Sequence, residues 1–240
     1  MWITPVIYGY VNISDTRLSG EVVKLALISR RSHKHAGTRY NARGITDSGT
    51  VANYVETEQI LKLNNKLYSI VIIRGSAPVF FEQNALDMRI IISRNPTMTS
   101  PAFMKHLNEI QQDFKYIMMM NLMSENKKGE ESISANFKNQ FLVNNITNCK
   151  YHIFDIHDVC KKDDFGKLED YINDKLIKII ENFNFYCEES NFDKTITHSI
   201  QKGVFRINCL DCLDRTNIFQ SRICWEILIQ QVILIFNIIY

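Results

Sequence analysis

Gly203-Val204-Phe205-Arg206-Ile207-Asn208-Cys209-Leu210-Asp211-Cys212-Leu213-Asp214-Arg215-Thr216-Asn217 is the stretch whose reading decides the fold. Gly203 to Ile207 is a short apolar run broken only by Arg206, the pattern of a buried strand, and Ile218, Phe219, Ile223, Trp225 and Ile227 read as the apolar side of a following helix. Between them stand Cys209 and, six positions on, Arg215. Five intervening residues are enough for a loop that curls round one tetrahedral phosphate, with backbone N–H groups turned inward and a helix N-terminus behind them. The expected phosphate-binding positions are therefore Leu210, Asp211, Cys212, Leu213, Asp214, Arg215 and Thr216.

A free cysteine has a pKa of about 8.5 and is a poor nucleophile at neutral pH, but a helix N-terminus and a nearby guanidinium lower that value and expose a thiolate. Cys209 is placed to receive both effects. Arg215 can take two phosphate oxygens in a bidentate fork and stabilise the charge spread over them in the transition state, which a lysine does less well. Cys212 makes a Cys-x-x-Cys with Cys209. A structural zinc needs four closed ligands, and no second such pair or suitably spaced histidine accompanies this one, His198 included.

Cysteine and arginine six apart carry little information alone; the whole run carries much more. Arg-x-Asn-Cys-x-Asp-Cys-Leu-Asp-Arg-Thr-Asn, matched here from Arg206 to Asn217, resembles the signature of the Sac-domain phosphoinositide phosphatases. Upstream, Ser29-Arg30-Arg31-Ser32, Ala36 to Ile45 and Val51 to Gln59 look like the family's first long block, and Arg74 to Phe81 and Phe154-Asp155-Ile156-His157 like the next two. The similarity runs from about Trp2 to about Gln231.

The resemblance implies a phosphatase that removes a phosphate from the inositol ring of phosphatidylinositol phosphates through a phosphocysteine on Cys209, without metal or cofactor. It makes Asp211 a candidate for the acid that protonates the leaving inositol oxygen, although a carboxylate there serves equally to orient the loop backbone, the role given to Asp214. Arg206, Asn208 and Asn217 are loop supports in the same signature, and His157 is read as a hydrogen-bonded core histidine. Gly203-Val-Phe-Arg with Gln220-Ser221 is most similar to the members acting on the 4-phosphate, and the synaptojanin Sac domain is also similar. The rival from another class is a non-catalytic Sac-fold scaffold or inactive fragment. A protein tyrosine phosphatase would share the chemistry but not the upstream blocks.

The chain has 240 residues, 45% hydrophobic and 22% charged, enough to bury a sizeable core. Its net charge of +2 gives no polybasic footprint for nucleic acid. Within it, Lys24, Arg30, Arg31, Lys34, Arg39 and Arg43 fall in a window without an acid between Glu21 and Asp47. Such a patch suits an anionic membrane surface, or is a solvated face, or orders acidic side chains inside the fold. Six cysteines with one close pair and no signal peptide point to a reducing compartment. No stretch reaches the roughly 18 to 20 uninterrupted apolar residues of a membrane span. The expected location is the cytosolic face of endomembranes, at the endoplasmic reticulum, Golgi or endosomes.

Along the chain, Val22 to Ile28, Tyr68 to Arg74, Tyr116 to Met123 and Tyr151 to Ile156 read as strands, Phe165 to Phe183 as a packing helix, and Ser124 to Glu131 as an exposed loop. Strands alternating with helices predict an α/β domain, a mixed and largely buried sheet flanked by helices, with the Cys-x5-Arg loop between a strand and a helix. Residues 1–231 are expected to form a Sac catalytic region lacking the family's N-terminal subdomain and C-terminal part. Residues 232–240 break the amphipathic pattern and are expected to be a gene-model artefact.

Overall fold

The computed structural model describes residues 8–37, 42–84, 86, 89–160, 165–210 and 214–236. A parallel strand covered by helices on both faces must be apolar on both. Two strands meet that demand, β7 (Tyr116–Asn121) and β11 (Gly203–Asn208), and they pair with each other through six residue positions. Ile117, Met119 and Val204 face one layer; Met118, Met120, Phe205 and Ile207 face the other.

Around this pair the main sheet runs β1 (Gly9–Leu18), β2 (Glu21–Arg31), β3 (Val55–Leu63), β4 (Lys66–Arg74), β11, β7 and β8 (Cys149–Ile153). The first four are antiparallel, whereas β4, β11, β7 and β8 run parallel. The β1–β2 turn is Ser19-Gly20, with φ of 51° and 86°, the positive values that a two-residue hairpin turn requires. A hairpin of β9 (Tyr186–Asn191) and β10 (Lys194–Ser199) adds to the start of β4, and β5 (Phe81–Gln83) and β6 (Ile90–Ile92) form a separate ribbon.

One face of the sheet carries α1 (Pro96–Gln111) and α2 (Glu130–Val143), through Phe103, Leu107, Ile110, Ile133 and Phe137. The other carries α4 (Gly166–Tyr171), a π-helical turn (Ile172–Leu176), α5 (Ile177–Phe183) and α6 (Asp214–Phe236), through Leu168, Ile172, Leu176, Phe219, Ile223 and Ile227. A one-turn helix, α3 (Ile156–Val159), follows β8. The architecture is thus the expected mixed sheet between helices, with full burial confined to its parallel centre: β1 is exposed along nearly its whole length.

Several boundaries differ from the sequence reading. The strand expected over Tyr116 to Met123 stops at Asn121, whose side chain turns into the polar network of the site, and the one expected over Tyr151 to Ile156 is Cys149–Ile153 because Asp155 caps α3. The helix expected over Phe165 to Phe183 contains the π-helical turn. Trp225, assigned to the apolar side of α6, is 56% exposed, since its spacing of two from Ile223 turns it away from the sheet. By length and composition α6 is apolar enough to cross a membrane, although polar residues such as Arg222, Glu226, Gln230 and Gln231 interrupt it; in this fold its apolar stripe packs on the sheet.

Candidate active site

β11 emerges between β4 and β7, so the carboxyl ends of three parallel strands converge where Cys209 follows Asn208. In open α/β sheets this edge is where ligands are held. Cys209 is buried, 2% exposed, and Leu210 is half-buried. Arg215 is the second residue of α6, with its side chain 13% exposed. Thr216 is buried beneath the first turn of α6, while Asp214 and Asn217 are exposed. Asn217 lines a groove of about 740 Å³ between the β2–β3 face and α6, shared with Arg74, Gln220 and Trp225. Asp211, Cys212 and Leu213 lie outside the described residues, as does Arg39 of the basic window.

Arg206 stands directly behind this corner, fully buried. Its guanidinium donates to the carbonyls of Gly75 at 2.9 Å, Ser76 at 2.6 Å and Ile207 at 3.3 Å, and its Nε donates to His106 Nε2 at 3.3 Å. The arrangement ties the end of β11 to the segment after β4. It also requires a glycine at 75, since a Cβ there would come 2.9 Å from Val51 and 3.2 Å from Arg206. Burial, and then the Arg206 charge, hold His106 well below the usual imidazole range against a backbone hydrogen bond at Gly49. The ring is neutral at pH 7 and accepts from Arg206.

Asn208 donates through Nδ2 to Asn121 Oδ1 at 2.9 Å, and Asn121 donates in turn to Ser134 Oγ and to the Tyr151 hydroxyl, each at 2.9 Å. Leu122 N–H donates to the Asn208 carbonyl, so side chain and backbone both fasten the residue before Cys209. On the far side of the loop, Arg215 Nη1 and Nη2 donate to Glu130 Oε2 and Oε1 at 2.9 and 3.1 Å, and Nη1 also reaches the Leu122 carbonyl at 3.3 Å. Burial pushes the Glu130 carboxyl up, but hydrogen bonds from Arg215, the Arg215 charge, the Ser124 N–H and Lys127 outweigh it, so the group titrates below its usual range and is ionised.

Sequence reasoning missed Glu130. It fell in the run Ser124 to Glu131 expected to be an exposed loop, and it is 1% exposed at the first position of α2. It missed His106 too, and it placed a core histidine at His157, which is exposed on α3 while Asp155 accepts the N–H groups of His157 and Asp158. Arg43 was grouped with the basic window; it is buried, donating to Gln83 at 2.9 Å and to the Leu210 carbonyl at 3.4 Å. The rest of that window is largely neutralised where it is described. Lys24 pairs with Asp15, Arg30 with Glu58 and Lys34 with Glu109, and Arg31 donates to Asn53 and the Gly37 carbonyl. Among the described residues no group of three or more His, Cys, Asp or Glu is disposed to hold a metal ion.

A buried parallel strand that delivers a cysteine, followed by a helix that opens with an arginine held by a buried carboxylate, defines a three-layer α/β domain built round one polar corner. Residues 1–161 match the family model described as the SacI homology domain, and the chain belongs to that family. It is 34% identical over 231 residues to Synaptojanin-2 of Homo sapiens, 33% over 257 residues to Phosphatidylinositide phosphatase SAC2 of Danio rerio, and 36% over 229 residues to Polyphosphatidylinositol phosphatase INP53 of Saccharomyces cerevisiae. These matches cover 95%, 96% and 92% of this chain and 15%, 22% and 20% of the relatives, so the chain spans about a fifth of their length or less.

Proposed function

We propose that this chain carries the hydrolytic site of a phosphoinositide phosphatase and removes a phosphate, that at the 4-position in particular, from the inositol ring of a phosphatidylinositol phosphate. The observation that carries the reading is that Leu122 is tied to both feet of the loop, its N–H donating to the carbonyl of Asn208, just before Cys209 at the end of the buried strand β11, and its carbonyl accepting from Arg215 at the start of α6. The names of the relatives support the substrate class: two of those cited are named as phosphatases of phosphatidylinositol lipids.

In this reading the Cys209 thiolate attacks phosphorus. The Sγ–P bond forms as the bond from phosphorus to the inositol oxygen breaks, and Asp211 gives that oxygen its proton. Arg215 and the N–H groups of Leu210 to Thr216 carry the charge on the transferring oxygens. A water, losing its proton to a base, then attacks phosphorus, the S–P bond breaks, and inorganic phosphate leaves with the thiolate restored. Arg206 and Asn208 fix the strand side of the loop by the bonds described above. An anionic membrane surface on the cytosolic side of endomembranes is where such a substrate is met.

The test is phosphate release from short-chain phosphatidylinositol 3-, 4-, 5- and bisphosphates by the purified chain beside Cys209→Ser. Release from the 4-phosphate that disappears in the variant, with both proteins folded, is the expected result. No release from a folded wild-type chain would favour a scaffold or a fragment missing part of its site.

A further inference from the structure

Arg215 and Asn208 stand on opposite feet of the signature loop, and both are tied to the same helix. Glu130 and Ser134 are one turn apart in α2, at positions i and i+4, which share a face. Glu130 takes Arg215 directly, and Ser134 takes Asn208 through Asn121. A guanidinium offers five N–H donors in one plane. Three of them are used by Glu130 and the Leu122 carbonyl, which is enough to fix the position and the plane of the group.

The carboxylate is itself held. Ser124 N–H donates to Oε2 at 3.0 Å, Lys127 lies 3.6 Å from Oε1, and a place in the first turn of a helix favours negative charge. A buried, paired carboxylate of this kind costs desolvation, and packing alone does not ask for it.

We infer that Glu130 is a positioning residue for Arg215: through α2 it sets the plane in which the guanidinium meets the phosphate, and it acts on substrate only through that arginine. The inference rests on the phosphatase reading above. In this account Glu130 bonds Arg215 and takes no part in bond making or breaking itself. Its effect therefore requires Arg215, whereas a carboxylate that only held α2 in place would act whichever residue stood at 215.

The experiment is a double-mutant cycle in the full chain, with Glu130→Gln, Arg215→Lys and both together. Turnover of short-chain phosphatidylinositol 4-phosphate and affinity for tungstate, a phosphate analogue, are read on protein whose thermal midpoint and near-ultraviolet circular dichroism show a native fold. Glu130→Gln should lower kcat by on the order of 10²-fold, the scale of an ångström's misplacement of a reacting group, and weaken tungstate binding. In the Arg215→Lys background it should change neither further.

Should Glu130→Gln fail to fold, Glu130→Asp keeps the charge on a shorter stem and is expected to lose kcat with a near-native midpoint. Unchanged kcat and tungstate affinity in folded Glu130→Gln, equal losses in both backgrounds, or tighter tungstate binding showing Glu130 to compete with phosphate would each overturn the inference. Tungstate binding separates the two readings. A wild-type chain that binds it but turns over no lipid sinks the phosphatase assignment alone, while the variant's affinity still decides for or against Glu130.

Discussion

At the scale of single residues, the neutral histidine against a buried guanidinium has a pH signature. His106 titrates near 6.5 in the unfolded chain, and in the fold burial and the Arg206 charge hold it well below that. Between those two values the unfolded chain binds a proton that the folded chain refuses. Stability is therefore fully present above pH of about 6.5 and is lost as pH falls toward the folded value. The slope can reach about 1.4 kcal/mol per pH unit for one such group. Urea midpoints measured from pH 7.5 to 5 should decline, and less steeply in His106→Gln, which keeps an acceptor for Arg206 and has no proton to gain. Some slope will remain from His152, which burial and Lys150 also depress. Equal slopes in the two proteins would mean that His106 gains its proton while folded. The Glu130 carboxyl works in a separate, more acidic window: its depressed value contributes stability above about pH 4.3 that is lost only below it.

At the scale of elements, α6 shows what a sequence pattern reveals and what it leaves hidden. Thr216, Phe219, Gln220, Ile223, Cys224, Ile227 and Gln231 face inward at helical spacing, and the strand–loop–helix order from Gly203 onward was readable because β11 is apolar on both faces and its signature is dense in chemistry. Glu130 was not readable. One of three glutamates in a run with Ser, Asn, Lys and Gly is written like a solvated loop, and only the fold brings Arg215, 85 positions away, against it. His106 was hidden for a like reason, since nothing in α1 announces that its partner comes from β11. The exposed strands β1 and β10 lacked the apolar runs by which β2, β4, β7 and β8 were found. Gln231 is a second hidden case. It is fully buried, and neither atom of its amide finds a partner among the described residues. Orphaned amide atoms cost on the order of 1–3 kcal/mol, so Gln231→Leu, of similar volume, should stabilise the chain by about 1–2 kcal/mol. A higher urea midpoint with an unchanged m-value is the expected reading, and a lower midpoint would show that the amide is satisfied in solution.

At the scale of the whole molecule, the sheet is graded from an exposed edge to a sealed centre, and the candidate site stands at the sealed end. Among the described residues β1 pairs with β2 alone, and it is exposed over almost all its length. β11 is buried at all six positions, paired on both sides, with one core layer against each of its faces. Opening β1 exposes little apolar surface, whereas opening β11 uncovers both cores and separates Arg206 from Gly75 and Ser76. Local opening energies in such a fold range from near zero at edges up to the global value, typically about 5–15 kcal/mol. Native-state hydrogen exchange read by mass spectrometry should therefore find β1 amides exchanging first, β3 and β4 later, and β7 and β11 only on global unfolding. Exchange of β1 as slow as that of β11 would make the sheet one cooperative unit and refute the gradient. The order matters for the site because its two feet differ in support: Cys209 leaves the most buried strand, while Arg215 is paired with Glu130, which follows the polar segment 124–129. Peptides spanning the start of α2 should show intermediate protection, and Glu130→Gln should lower it there while leaving β11 unchanged, since that substitution removes the tie to Arg215 and leaves both core layers intact.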